Sequence, residues 1–231
     1  MARTCLITGA SRGIGLATAL RFARQGCNVV LVARSQPDLD RAVERIAETD
    51  ASCLPLAADV SRRDDAQRVV AAAAERFGGV DVLVNNAGTG VLAPIERFAL
   101  TDFDRTIGVN IAAVFHLTQA VWPLMRERGA GVIVNISSVA SVDPFVGFAV
   151  YGATKAWVNA FSQATAAEGK PVGIRVYAVA PGAVETPLLR SVAPQFPREQ
   201  ALDPDAVAQV IETVCDERML YVTGQTIFVR K

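Results

Sequence analysis

Histidine is nearly absent from this chain of 231 residues, and cysteine is scarce. The single histidine, His116, assembles neither a His-based metal cluster nor a Ser-His-Asp triad, and is expected in the core or at an interface. The four cysteines, Cys5, Cys27, Cys53 and Cys215, show no Cys-x-x-Cys and no paired metal spacing. They read as reduced thiols, three of them in or beside apolar strands where Cys acts as a small hydrophobe, and no metal is expected. Net charge is missing as well, with 23 basic against 23 acidic side chains. Nothing therefore draws the chain toward nucleic acid or an anionic membrane. No apolar run reaches the ~18 residues of a membrane span. The N-terminus passes directly into a strand, so no signal peptide is expected and the default location is cytoplasmic. Repeats and low-complexity linkers are absent, and the charged stretch from 61 to 68 reads as an ordinary helix start.

What the chain does have is alternation. Apolar strands near 3–8, 28–33, 53–57, 81–84, 131–136, 173–180 and 226–229 alternate with helical patterns near 13–25, 38–49, 62–77, 102–127, 149–168 and 204–216. That order predicts an α/β fold, a doubly wound parallel sheet of about seven strands with helices on both faces, in one domain over 1–231.

Three features carry chemistry. Tyr151 and Lys155 stand four residues apart on a helical pattern, so both project from one face. A phenol is too weak an acid or base at neutral pH, and an adjacent ammonium favours the phenolate. Ser138 follows the apolar run of 131–136, where a buried strand delivers a hydroxyl to the same cleft. At the other end, the strand ending in Thr8 is followed by Gly9-Ala-Ser11-Arg12-Gly13-Ile14-Gly15 and then a helix. This Gly-x-x-x-Gly-x-Gly turn meets the needs of a pyrophosphate site: a tight turn, close backbone approach and a helix N-terminus. After the second strand an acidic residue would favour NAD(H). Instead Ala33 is followed by Arg34, with Arg12 as a second cation in the glycine loop, and this favours NADP(H) through charge-assisted bonds to a 2′-phosphate.

With these motifs in order, the chain resembles the short-chain dehydrogenase/reductase family of the single-domain type, which keeps Thr-Gly-x-x-x-Gly-x-Gly and Tyr-x-x-x-Lys. The resemblance covers nearly the whole chain and includes Asp59-Val60, Asn85-Asn86-Ala87-Gly88, Asn110 and Pro181-Gly182 with Thr186. It implies that Asp59 accepts from the adenine amino group and Val60 closes around the base, although Asp59 or Ser61 also suits a helix cap. Asn86, Ala87 and Gly88 would line the adenosine side, though the segment also reads as a plain turn. Asn110 would hold a water in a proton relay to Lys155, or be satisfied within its own helix. The backbone of Val184 and the hydroxyl of Thr186, after Pro181 and Gly182, would clamp the nicotinamide carboxamide. By the same resemblance Ser138 polarises a carbonyl, Tyr151 transfers the proton, and Lys155 lowers the Tyr pKa and holds the ribose.

The expected activity is hydride transfer between NADP(H) and a carbonyl or secondary alcohol. The substrate wall, Val139, Ala140, Phe145, Val146 and Phe148 with Leu188 and the segment to 196, is apolar, which suggests a neutral or hydrophobic compound. Two departures from the family pattern stand out: a short lid over 183–203, which leaves the pocket more open, and a C-terminus without the aspartate and glycines that commonly close the last strand. A homodimer or homotetramer is expected, with Val114, Phe115, Trp157 and Phe161 offering surplus apolar surface. The alternative is a non-catalytic NADP(H)-sensing regulator, although proteins of that kind tend to lose the Tyr or the Lys.

Overall fold

The computed structural model describes residues 2 to 231. Seven parallel strands form one sheet in the order β3-β2-β1-β4-β5-β6-β7. They are β1 Thr4–Thr8, β2 Asn28–Ala33, β3 Cys53–Ala57, β4 Val82–Asn85, β5 Gly131–Ile136, β6 Ile174–Pro181 and β7 Thr226–Val229. The chain runs outward from β1 to β3, then returns to lay β4 on the other side of β1. That reversal opens a crevice at the C-terminal ends of β1 and β4, where doubly wound folds bind ligands. Pro55 is accommodated because β3 is an edge strand, paired with β2 alone.

Alternation along the strands decides which helix covers which face. Cys5, Ile7, Val29, Leu31, Val82 and Val84 point to one side, where helices α1 Gly13–Arg24, α2 Gln36–Ile46 and α8 Pro204–Val214 bury Phe22, Leu39, Ile46 and Ile211 against them. Leu6, Val30, Val32, Leu83 and Ile133 point to the other, under Val69 and Val70 of α3 Arg63–Phe77 and Leu117, Val121 and Met125 of α5 Ala113–Arg128. Each such fully buried side chain contributes roughly 1.5–3 kcal/mol. At the end of α8, Arg3 and Arg175 donate to the Cys215 carbonyl, and Arg175 also donates to that of Asp216. Cations at a helix C-terminus stabilise its unpaired carbonyls.

Several boundaries differ from the sequence reading. Helix α2 begins earlier, because Ser35 caps it and Pro37 fits its first turn. The long segment around Asn110 is α4 Leu100–Ile107, a π-helical turn Gly108–Ala112 and α5 in continuity. This run, Leu100–Arg128, contains a stretch long and apolar enough to cross a membrane by length and composition alone, but it packs on the sheet. Helix α6 Ala149–Gly169 follows β5 and carries Tyr151 and Lys155. A short helix not expected from the sequence, α7 Pro187–Val192, starts where Thr186 accepts from the Leu189 amide and Pro187 fixes the first helical φ.

Candidate active site

The glycine loop spans the β1–α1 junction at the crevice. Gly9 and Gly13 hold φ of 63° and 57°, in the left-handed region open to glycine. A Cβ at Gly15 would stand 2.4 Å from the Gly9 carbonyl oxygen, so only glycine lets the helix start this close to the turn. The turn is pinned from below: Thr8 Oγ1 accepts from the amides of Asn86 and Ala87, and Asn86 Nδ2 donates to the carbonyls of Thr8 and Gly9. The Asn86 side chain is thus committed to shaping the loop. The N-terminus of α1 has no side-chain cap and no acidic residue in its first turn. Among the described residues neither Arg12 nor Arg34, both exposed, pairs with a carboxylate. An uncapped helix N-terminus, a cradle closed to any Cβ and two unpaired guanidinium groups fit a phosphate-bearing dinucleotide.

The remaining cofactor-side residues gather at the same edge. Asp59 and the buried Val60 follow β3, and Asp59 Oδ1 accepts from the Ser61 amide and hydroxyl. The cap of α3 is Arg62, without a side-chain bond, so Ser61 does not cap that helix. Pro181 ends β6, and Gly182 donates its amide to Val229. Val184 bridges to Leu202, and the Thr186 methyl lies against Gly13.

Tyr151, Lys155 and Ser138 converge. Ser138, at the exit of β5, is near enough to Tyr151 to favour its phenolate and accepts from the Ala140 amide at 3.2 Å. Lys155 Nζ lies 5.7 Å from the centre of the Tyr151 ring and donates to the Ile136 carbonyl at 2.7 Å. Lys155 is buried, and loss of hydration lowers its ammonium to about 8. Burial also dominates at Tyr151, raising the phenol, with Ser138 pulling the other way. The depression of the Tyr pKa expected from its neighbour is therefore not present in the protein alone, because desolvation outweighs it.

Asn110 lies in the π-helical turn with no exposed surface. Its Nδ2 donates to the Thr89 carbonyl and Thr154 Oγ1, and its Oδ1 accepts from the Thr89 amide. A helix interior alone would not satisfy this amide, and the wider turn accompanies its rotation toward the 89 loop and α6. A Cβ on Gly88 would stand 3.6 Å from Asn110 Oδ1 and 3.6 Å from Lys155 Nζ.

The residues of the expected substrate wall differ in exposure. Phe145 and Val146 are exposed and Leu188 borders on it, but Ala140 and Phe148 are buried at 4% and 6%. Phe148 instead packs its edge on Tyr151 at 4.9 Å. The opposite wall went unrecognised. Gly90 lies flat on the Tyr151 ring, where a Cβ would stand 3.2 Å from Cδ2, and Leu92 packs on Gly147. Neither Gly90 nor Thr154 carries a local signal, since a glycine in a loop and a threonine in a helix are ordinary until their neighbours are known.

Comparison with known proteins agrees with this geometry. The family model described as short chain dehydrogenase matches residues 3–196. The chain is 39% identical to the 3-oxoacyl-[acyl-carrier-protein] reductase FabG of Thermotoga maritima, over 97% of this chain and 95% of that protein. It is 36% identical to a 3beta-hydroxysteroid dehydrogenase of Eggerthella lenta, over 98% and 92%. Among solved structures, the 3-ketoacyl-(acyl-carrier-protein) reductase of Brucella melitensis complexed with NADH superposes with a TM-score of 0.92 at 38% identity, covering 98% of this chain and 96% of that one. An actinorhodin polyketide ketoreductase with NADPH gives a TM-score of 0.94 at 32% identity, covering 99% and 96%.

Proposed function

This chain belongs to the short-chain dehydrogenase family, and from that premise we propose that it is an NADP(H)-dependent oxidoreductase interconverting a neutral or hydrophobic carbonyl compound and its secondary alcohol. The observation that carries this reading is the meeting of Tyr151, Ser138 and the Lys155 ammonium beside the glycine-loop crevice. NADP(H), when bound, supplies the hydride in reduction and accepts it in oxidation.

The protein does the rest. Ser138 and Tyr151 donate to the carbonyl oxygen, and Tyr151 releases its proton as negative charge develops there. Lys155 uses one N–H on the Ile136 carbonyl, which leaves two for the ribose hydroxyls, and its positive charge favours the phenolate formed as Tyr151 gives up its proton. Asn110 Oδ1 and Lys155 Nζ both lie beside Gly88, where a bound water would return protons to Lys155. Asn110 itself is held there through Thr89 and Thr154. Arg12 and Arg34 would hold the 2′-phosphate, while Val184 and Thr186 would clamp the carboxamide as residues 183 to 203 form the lid. The four free thiols accord with a cytoplasmic enzyme, and the apolar α5–α6 face with a homo-oligomer.

Following NADPH absorbance with a panel of ketones tests this. Tyr151→Phe should lower turnover ~100- to 10,000-fold with cofactor affinity nearly unchanged. Near-native turnover by that variant would overturn the mechanism, and a kinetic preference for NADH would overturn the cofactor assignment.

A further inference from the structure

The rings of Tyr151, Phe148 and Phe145 form a ladder from the proposed catalytic ring to the surface. Phe148 meets Tyr151 edge-on at 4.9 Å and 69°, and Phe145 stacks on Phe148 at 4.7 Å and 29°. Burial falls sharply along it: Phe148 is 6% exposed and Phe145 62%. A solitary exposed Phe needs no explanation. This one differs because it stacks on a buried ring that itself packs on Tyr151, which fixes its plane and leaves its other face exposed.

We propose that Phe145 is a specificity-determining residue, and that the site takes neutral carbonyl compounds bearing a flat ring, which lies on Phe145 while the carbonyl meets Ser138 and Tyr151. This rests on the reductase reading above. Charge at the mouth points the same way. Asp143 is the one ionisable residue of the 138–148 wall and is exposed, so an anionic substrate meets repulsion there. Across the cleft, Arg190 is engaged by Glu185 and by the carbonyls of Pro194 and Phe196, leaving it unavailable for a substrate carboxylate or phosphate. A ring stacked with an offset on Phe145 gains from quadrupole complementarity beyond the area it buries, whereas an alkyl chain gains only from area.

The test compares 2-tetralone, a fused flat ketone, with 2-decanone, an acyclic ketone of equal carbon number, using NADPH and NADH. The wild type should have the higher kcat/KM for 2-tetralone. Phe145→Leu, which keeps an apolar side chain but loses the plane, should lower the ratio of kcat/KM for 2-tetralone to that for 2-decanone about 2- to 10-fold. Phe145→Tyr should retain the ring preference. Turnover of both ketones with no ring preference, or an equal loss on both in Phe145→Leu, would overturn the inference while leaving the reductase reading intact. Turnover of neither ketone, with either cofactor, would remove both.

Discussion

Tyr151 acts from a ring whose position is set on two sides, by the Gly90 backbone and by the edge of Phe148. Gly90 does not have a positive φ, so its role is clearance alone. Gly90→Ala is expected to displace the ring by a few tenths of an ångström and lower kcat about 3- to 10-fold with cofactor affinity unchanged, since small misplacements of reacting groups are costly. Steady-state kinetics beside a cofactor titration will check this. Lys155 gives a pH prediction. Burial lowers its ammonium from 10.5 to about 8 in the protein alone, and hydrogen bonds to the ribose together with the negative charge of the phosphates favour the protonated form. Cofactor binding then takes up a proton above pH 8, so affinity is full below that value and falls as pH rises through it, by up to about tenfold per pH unit. Calorimetric titrations in buffers of different ionisation enthalpy should show that uptake at pH 8.5, and pH-independent binding would contradict it.

Among the elements, the segment after β6 is the one least visible in the sequence. Its ends are joined by the Val184–Leu202 bridge and by bonds from the Glu185 and Leu202 amides, and Lys231 donates to the Ala201 carbonyl. Inside, Arg190 ties Glu185 to the turn at 194–196, and the pairing holds the Glu185 carboxyl below its usual range. A short lid was expected, but its bracing depends on side chains meeting across the loop. Arg190→Ala should speed hydrogen exchange across 185–200 and raise KM, with the melting temperature of the whole protein nearly unchanged. The Thr186-Pro187 pair is a helix-start signal, yet it marks a helix of only 6 residues, too short for apolar periodicity to register. The π-helical turn was equally hidden. The segment around Asn110 reads as plain helix because the bonds that accompany the wider turn go to Thr89 and Thr154, both distant in sequence or on another element.

For the whole molecule, the proposed homo-oligomer would cover the apolar face of α5 and α6. Val114, expected on that surface, is buried at 4%. Phe115, 43% exposed, meets Phe161 edge-on at 6.4 Å, and Phe161 stacks on Trp157 at 4.6 Å, so α5 and α6 present one continuous aromatic face. Light scattering at micromolar concentration should show a dimer or tetramer, and Phe115→Glu should shift it toward monomer by placing a charge in that face. A monomeric parent protein would refute the interface.

The sequence by itself determined the order and type of the main elements, the glycine turn and the candidate trio of Ser138, Tyr151 and Lys155. Those follow from period, from steric demands on single residues and from spacing within one helix, all of which are local. Only the tertiary structure decided that Asn86 braces the glycine loop, that Gly90 and Phe148 grip the Tyr151 ring, that Phe148 and Ala140 are buried while Phe145 is exposed, and that burial governs the phenol of the protein alone. Each of these depends on which groups from separate strands and loops come within a few ångströms, and on how much water that meeting excludes.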